Sequence, residues 1–240
     1  MEALLLSAGL GTRLKPLTNN KPKALVEISG KTLLEINIQK LISYGIFRIV
    51  VNVHHFAEQI IEYIKNHNFD ADIFISNEQY QLLDTGGGLL NAKPFFSLSE
   101  NIIVHNVDII SNIDFKILEN IHTKSSNAIA TLAISKRNTS RQLLFNKELE
   151  LKGWQNKNNG KKIIIENDTE TLTPFGFSGI QILSPEIFNL FTKKECFPII
   201  PQYLEICRNH TIKGFVHNHE KWIDAGKISD LPLAEKLLMI

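Results

Sequence analysis

Several things are scarce in this 240-residue chain, and each scarcity excludes a class. There are two cysteines, Cys196 and Cys207, with neither CxxC nor Cys/His zinc spacing. They read as ordinary reduced core thiols, which rules out a disulfide scaffold and a zinc module. Lysine and arginine exceed aspartate and glutamate by one, so the broad basic face of a nucleic-acid binder is missing. No apolar run is long enough to span a bilayer. Glu2 stands where a secretion signal would place positive charge, so a cytoplasmic protein is expected. No internal repeat and no low-complexity segment is visible. Apolar residues make up 43% and charged residues 21%, the ordinary balance of a soluble protein with a sizeable core.

What is present is a strand–helix alternation. Apolar strands are expected at Ala3–Leu6, Phe47–Val53, Asp72–Ser76 and Asn101–Val107. Helical spacing marks Thr32–Tyr44, Phe56–Asn66, Leu89–Ala92 and Phe115–His122, with Gly45 as a stop and Asp114 as a cap. Right-handed crossovers then give a mostly parallel sheet covered on both faces. Ligands bind such sheets beyond the carboxyl ends of the strands. The loops Ser7–Lys23, Asn52–His55, Glu78–Gly88 and His105–Asp108 should converge there. From Asn127 onward the pattern changes. Strands at Ala128–Ser135, Gln142–Phe145, Leu149–Trp154 and Lys161–Glu166 suggest an antiparallel addition. Helices follow at Pro185–Phe191, Pro198–Arg208 and Ser229–Met239, with a strand at Ile212–Val216.

The first strand runs into "LLLSAGLGTRLKPL", Leu4–Leu17. A dinucleotide fingerprint would need a third glycine where Leu14 stands. A Walker loop would need Gly-Lys-Ser/Thr where Gly11-Thr12-Arg13 stands. The GxG alone leaves phosphate binding and an ordinary tight turn both open. The longer string is more specific. "LSAGLGTRLKPLT" followed by "KPKALVEISGKTLLE" resembles the N-terminal signature of the sugar-1-phosphate nucleotidylyltransferases, with Thr32 where a proline is common. "LLDTGGGLLNAKPFF", "HNVDII", "FGFSGIQILSPEIF" and "KWIDAGKISDLPLAE" resemble later segments of that family, with Asp84 in place of a glutamate. The "TGGG" and "FSGI" segments are most similar to N-acetylmuramate-1-phosphate uridylyltransferases; mannose-1-phosphate and heptose-1-phosphate guanylyltransferases share much of the pattern.

The resemblance implies a Rossmann-like three-layer α/β/α fold with a mixed, mostly parallel central sheet. It implies one domain, residues 1–240, with a nucleotide-binding half (1–126) and a half completing the sugar side and metal site (127–240). The reaction implied is Mg²⁺-dependent transfer of a nucleotidyl group from an NTP to a sugar-1-phosphate. Its chemistry asks for positioning and charge neutralisation, since the attacking phosphate oxygen is already anionic. Arg13 suits the leaving β/γ-phosphates and Lys23 the α-phosphate, with Lys21 as a solvated neighbour. Asp108 and Asp224 are the implied Mg²⁺ carboxylates. Ser7, Ala8, Gly9, Gly11, Thr12, Thr85, Gly86 and Gly87 form the implied nucleotide contacts, the bare glycines being expected where a side chain would strike the nucleoside. Asn106, Phe177, Ser178 and Gly179 form the implied sugar pocket.

Asn52 and His54 lie on a strand-end loop nearby, and an adjacent pair such as His54-His55 suits structure or substrate contact better than a metal. The family's E-K-P lysine has no counterpart here. Lys157, Lys162 and Arg141 are the remaining candidates for the sugar phosphate. The expected partners are an NTP and a sugar-1-phosphate, with no nucleic acid and no membrane, acting as a monomer or small homo-oligomer. No hexapeptide-repeat extension follows, so a fused acetyltransferase is not expected. A phosphocholine cytidylyltransferase and a catalytically silent nucleotide-sugar sensor are the alternatives. Only two tryptophans, Trp154 and Trp222, are available for a choline cage.

Overall fold

The computed structural model describes residues 1–125, 127–165 and 171–238. Glu166 and Met239, expected ends of a strand and a helix, and Ser126, at the expected boundary of the halves, lie outside the described residues.

In chain order the elements are β1 (Glu2–Leu6), β2 (Glu27–Ile28), β3 (Lys31–Thr32), α1 (Leu33–Ser43), β4 (Arg48–Val53), α2 (Ala57–Asn66), β5 (Asp72–Asn77), α3 (Asp84–Ala92), β6 (Ile102–Asn106), β7 (Ile109–Ser111) and α4 (Phe115–Lys124). Then come β8 (Ala128–Ser135), β9 (Arg141–Phe145), β10 (Leu151–Asn156), β11 (Lys161–Ile164), β12 (Thr173–Leu183), α5 (Ile187–Leu190), α6 (Ile199–Ile206), β13 (Thr211–Val216), β14 (Trp222–Asp224) and α7 (Leu231–Leu238).

Through the first half, β6, β1, β4 and β5 lie side by side in parallel. The alternating side chains of β1 explain the layers. Ala3 and Leu5 pack in one core with Leu33, Leu34 and Ile38 of α1, Ile60 of α2, Leu118 of α4 and Ala234 of α7. Leu4 points the other way, into a second core with Leu89 of α3, Phe188 of α5 and Tyr203 of α6. This is the three-layer mixed-sheet arrangement that the sequence implies. Thr32 caps α1 by accepting from the Glu35 N–H at 3.0 Å, and Asp114 caps α4 by accepting from the Lys116 N–H at 2.8 Å.

The antiparallel addition is built on β12, a strand that the sequence pattern does not set apart. Thr173–Phe175 pairs with β9 of the β9–β10–β11 meander, and the rest of β12 joins β8 and β6. Its register with β8 shifts between Phe177 and Gln181, a bulge of the kind that re-aims side chains beside a site. A two-stranded ladder, β7 with β14, stands apart from the main sheet at its carboxyl edge. Among the described residues, no helix is long and apolar enough to cross a membrane.

Candidate active site

The four expected loops do meet. They enclose a cleft of about 400 Å³ lined by Leu6, Ala8, Gly9, Lys23, Asn52, Glu78, Leu82, Asp84, Thr85, Asn106, Asp108 and Cys196. Buried hydrogen bonds tie the loops together. Asn52 Oδ1 accepts from the Ser7 N–H at 2.6 Å and the Ala8 N–H at 3.3 Å, fixing the exit from β1. Asn52 Nδ2 donates to Glu78 Oε1 at 2.7 Å, and the Leu83 N–H donates to Glu78 Oε2 at 2.8 Å. Burial pushes the Glu78 carboxyl above the usual carboxylate range, and these two donors oppose the shift. The role of Glu78 was not legible in sequence, because a glutamate beginning a polar loop carries no distinguishing pattern. Ser7 acts through its backbone, since its hydroxyl is buried without a partner among the described residues. Gly11 takes a left-handed φ of 65°, and its carbonyl accepts from the Thr18 hydroxyl at 2.8 Å, closing the loop. Thr12 is exposed at the rim.

Four charged groups converge at one end of the cleft. Lys23 Nζ lies 2.9 Å from Asp108 Oδ2, and Arg13 Nη1 lies 3.5 Å from Asp224 Oδ2, with Arg13 Nη2 4.0 Å from Asp108. Asp108 is only 6% exposed, so its charge is compensated by these cations. The β7–β14 ladder joins the two aspartates: Ile109 pairs with Asp224, and the Ala225 N–H donates to the Asp108 carbonyl at 2.8 Å. Gly226 completes the ring. A methyl built there would stand 2.6 Å from Asp224 Oδ1, 2.7 Å from Arg13 Nη2 and 2.9 Å from Asp108 Oδ2. Both carboxylates therefore face the same small space. Lys21 stays outside, 4.0 Å from Glu27 at the surface.

Two expectations need correction. Gly86, Gly87 and Gly88 lie inside α3, which begins at Asp84 and not at Leu89. The surrounding protein already requires them to be bare. A Cβ at Gly86 would stand 2.3 Å from the Phe197 ring, one at Gly87 2.3 Å from the Glu195 carbonyl, and one at Gly88 2.6 Å from Glu78 Oε1. The 195–197 segment is docked there by the Gly86 and Gly87 N–H groups, which donate to the Phe197 carbonyl at 2.9 and 3.2 Å. Thr85 lines the cleft while its hydroxyl accepts from the Ile199 N–H at 3.1 Å. Of the two cysteines, Cys207 is half-buried against the second core, whereas Cys196 is no core thiol and is exposed at the cleft wall.

Among the residues expected to form the sugar pocket, Gly179 has φ 73°, and a Cβ there would stand 2.8 Å from Asn106 Nδ2. This close approach locks β12 to the end of β6. Ser178 is fully buried, and its hydroxyl shares a 2.6 Å hydrogen bond with His217 Nε2. Burial lowers the His217 pKa. Trp222 Nε1 donates to the Ser178 carbonyl at 2.8 Å. Arg137 donates to the Phe177 carbonyl and lays its guanidinium over the Trp222 ring at 4.3 Å. Arg141, Lys157 and Lys162 are all exposed. Sequence reasoning missed Arg137, which stands four residues before Arg141 in the same polar stretch. His54 Nδ1 bonds to the Glu78 carbonyl at 2.7 Å, and His55 packs on Phe56. No group of three or more histidine, cysteine or acidic side chains among the described residues could hold a metal.

Similarities to known proteins agree with this geometry. Residues 2–143 match the family described as Nucleotidyl transferase. The chain is 40% identical over 111 residues to the N-acetylmuramate alpha-1-phosphate uridylyltransferase of Caulobacter vibrioides, covering 45% of this chain and 46% of that protein. It is 34% identical over 133 residues to a putative mannose-1-phosphate guanyltransferase of Sulfolobus acidocaldarius, covering 55% of this chain and 36% of that one. The chain thus spans less than half the length of these two relatives. The crystal structure of HddC from Yersinia pseudotuberculosis complexed with GMP-PN superposes with a TM-score of 0.77, 25% identity and 99% of each chain covered. By its matched sequence and its fold, this chain belongs to the nucleotidyl transferase family.

Proposed function

We propose that this protein transfers a nucleotidyl group from an NTP to a sugar-1-phosphate, releasing pyrophosphate. The observation that carries the reading is the convergence of Arg13, Asp108 and Asp224 around Gly226 at the end of the cleft, with Lys23 paired to Asp108. An acceptor phosphate oxygen forms a bond to the α-phosphorus while the bond to the β-phosphate oxygen breaks, so the electron pair leaves on pyrophosphate. The Arg13 fork suits the departing phosphates, and Lys23 offers a compact charge near the α-phosphate. The glycine-bearing backbone from Ala8 to Thr12 can approach phosphate without side-chain obstruction.

Mg²⁺ fits this site. Its preferred ligands are oxygens, with one or two carboxylates completed by phosphates and water, and Asp108 and Asp224 turn such oxygens toward one cradle. When bound, Mg²⁺ neutralises phosphate charge and polarises the phosphoryl group under attack. Residues 1–126 form the nucleotide-binding half, and 127–240 complete the sugar side and the metal site begun by Asp108, in a cytoplasmic monomer or small homo-oligomer.

The names of the relatives support UTP with N-acetylmuramate-1-phosphate or GTP with mannose-1-phosphate as the substrate pair; GTP with heptose-1-phosphate is the further pair that the sequence resemblance implies. A choline phosphate acceptor is disfavoured, because the Trp222 face that a quaternary ammonium would need carries Arg137. Pyrophosphate release measured over a matrix of NTPs and sugar-1-phosphates with Mg²⁺ tests the reading. Release with one pair supports it. Silence with every pair while the protein binds nucleotide favours a sensor.

A further inference from the structure

We propose that Arg137 is the cation that receives the phosphate of the acceptor, an assignment that rests on the nucleotidyl-transfer reading above. Such a phosphate needs a positive group on the acceptor side of the charged cluster. The cations already there are engaged: Lys23 is paired with Asp108, and Arg13 reaches both aspartates. The exposed Arg141, Lys157 and Lys162 lie on or beside the β9–β10–β11 meander.

Arg137 differs from them in being held. It donates to the Phe177 carbonyl and stacks on Trp222, which is itself pinned to the Ser178 carbonyl. Trp222 and Asp224 are two apart in β14, so they point to the same face of the strand, and the guanidinium lies on that face. Asp224 acts on Arg137 through space, and no carboxylate among the described residues lies within 4.0 Å of it. A held guanidinium without a carboxylate is suited to an arriving anion, and its fork matches a phosphate. The position is also kept clear: a Cβ at Gly176 would stand 2.6 Å from Arg137 Nε. Stacking costs little freedom on binding, because the side chain is already ordered.

The anion could be the acceptor's phosphate or a carboxylate on an acidic sugar, and the geometry beside Asp224 favours the phosphate. The test is steady-state kinetics of Arg137→Lys and Arg137→Ala with the substrate pair that the pyrophosphate matrix identifies. Removing a charged, forked contact is expected to raise the KM for the acceptor roughly 10- to 100-fold while the KM for the NTP stays within about threefold. Lysine, which keeps the charge and loses the fork, should fall between wild type and alanine.

An unchanged acceptor KM, or an equal rise in both KM values, overturns the assignment. A neutral hexose-1-phosphate and a uronic acid-1-phosphate should be affected alike; an effect confined to the uronic acid overturns the phosphate assignment in favour of a carboxylate. If Arg137→Ala fails to fold, Arg137→Lys is judged by the same criteria. If wild type turns over no pair, the transferase reading fails, and Arg137 is then judged by Trp222 fluorescence on titration with inorganic phosphate. A response weakened in Arg137→Lys upholds phosphate binding, and an unaltered one rejects it.

Discussion

Gly226 and Gly87 allow stability and chemistry to be separated by the same substitution. A methyl at Gly226 stands 2.6, 2.7 and 2.9 Å from Asp224 Oδ1, Arg13 Nη2 and Asp108 Oδ2. Each distance is too short, so those atoms must move, and all three are tips of side chains that can turn aside. The folding cost of Gly226→Ala should therefore be small, about 1 kcal/mol, or a Tm change of about 2–4 °C for a chain of this size. The catalytic cost should be large, because the atoms displaced are the charged groups of the proposed reaction. A misplacement approaching 1 Å can reduce turnover about 100-fold, equivalent to about 2.7 kcal/mol of barrier.

At Gly87 the same methyl meets the Glu195 backbone carbonyl at 2.3 Å, which cannot turn aside without moving its segment. Alanine gains about 1 kcal/mol of helix propensity there. The backbone clash outweighs it, and a net loss of order 2 kcal/mol, or about 4–8 °C in Tm, is expected. Thermal denaturation and pyrophosphate release at saturating substrates read the two effects. Gly226→Ala turning over within twofold of wild type would refute the cradle, and a fully stable Gly87→Ala would refute the docking of 195–197.

Asp108→Asn should leave the protein folded, since Lys23 can still donate to the amide oxygen, yet lower turnover at least about 100-fold in the pyrophosphate assay; near-normal turnover would remove the metal assignment. Thr32→Ala should cost about 1 kcal/mol of unfolding free energy in urea, because the Glu35 N–H loses its cap. His122 is buried between Thr131 and Ser184, and burial lowers its pKa from 6.5 to about 4. The unfolded chain then takes up a proton that the native state refuses, so stability present above pH 6.5 is lost as the pH falls toward 4. The loss is of order 3 kcal/mol at pH 4. His122→Gln should shrink the difference in unfolding free energy between pH 7 and 4.5 by most of that amount, and an undiminished difference would count against the assignment.

Local signals were legible where local physics decides. Asp114 reads as a cap and is one, Thr32 proves to cap the helix it was expected to begin, and alternating apolar runs separated by helical spacing placed the three layers. The loop from Ser7 to Lys23 was legible because its glycines, cation and prolines fall within one short string. What was hidden depends on long-range partners. β7 is two isoleucines and a serine that become a strand only by pairing with β14. Nothing in the sequence shows that residues 195–197 return to pack on the glycines of α3. Arg137 and Arg141 share one polar stretch, and the distant Phe177 carbonyl and Trp222 ring distinguish the held arginine from the solvated one.

The central claim is that an NTP is cut between its α- and β-phosphates and the α-phosphate moves to a sugar-1-phosphate. Parallel reactions with α-labelled and γ-labelled NTP test it most directly. The α label should appear in a nucleotide-sugar and the γ label in pyrophosphate, in equal amounts and only when acceptor is present. Transfer of the γ label to the sugar, or pyrophosphate release independent of acceptor, would contradict it.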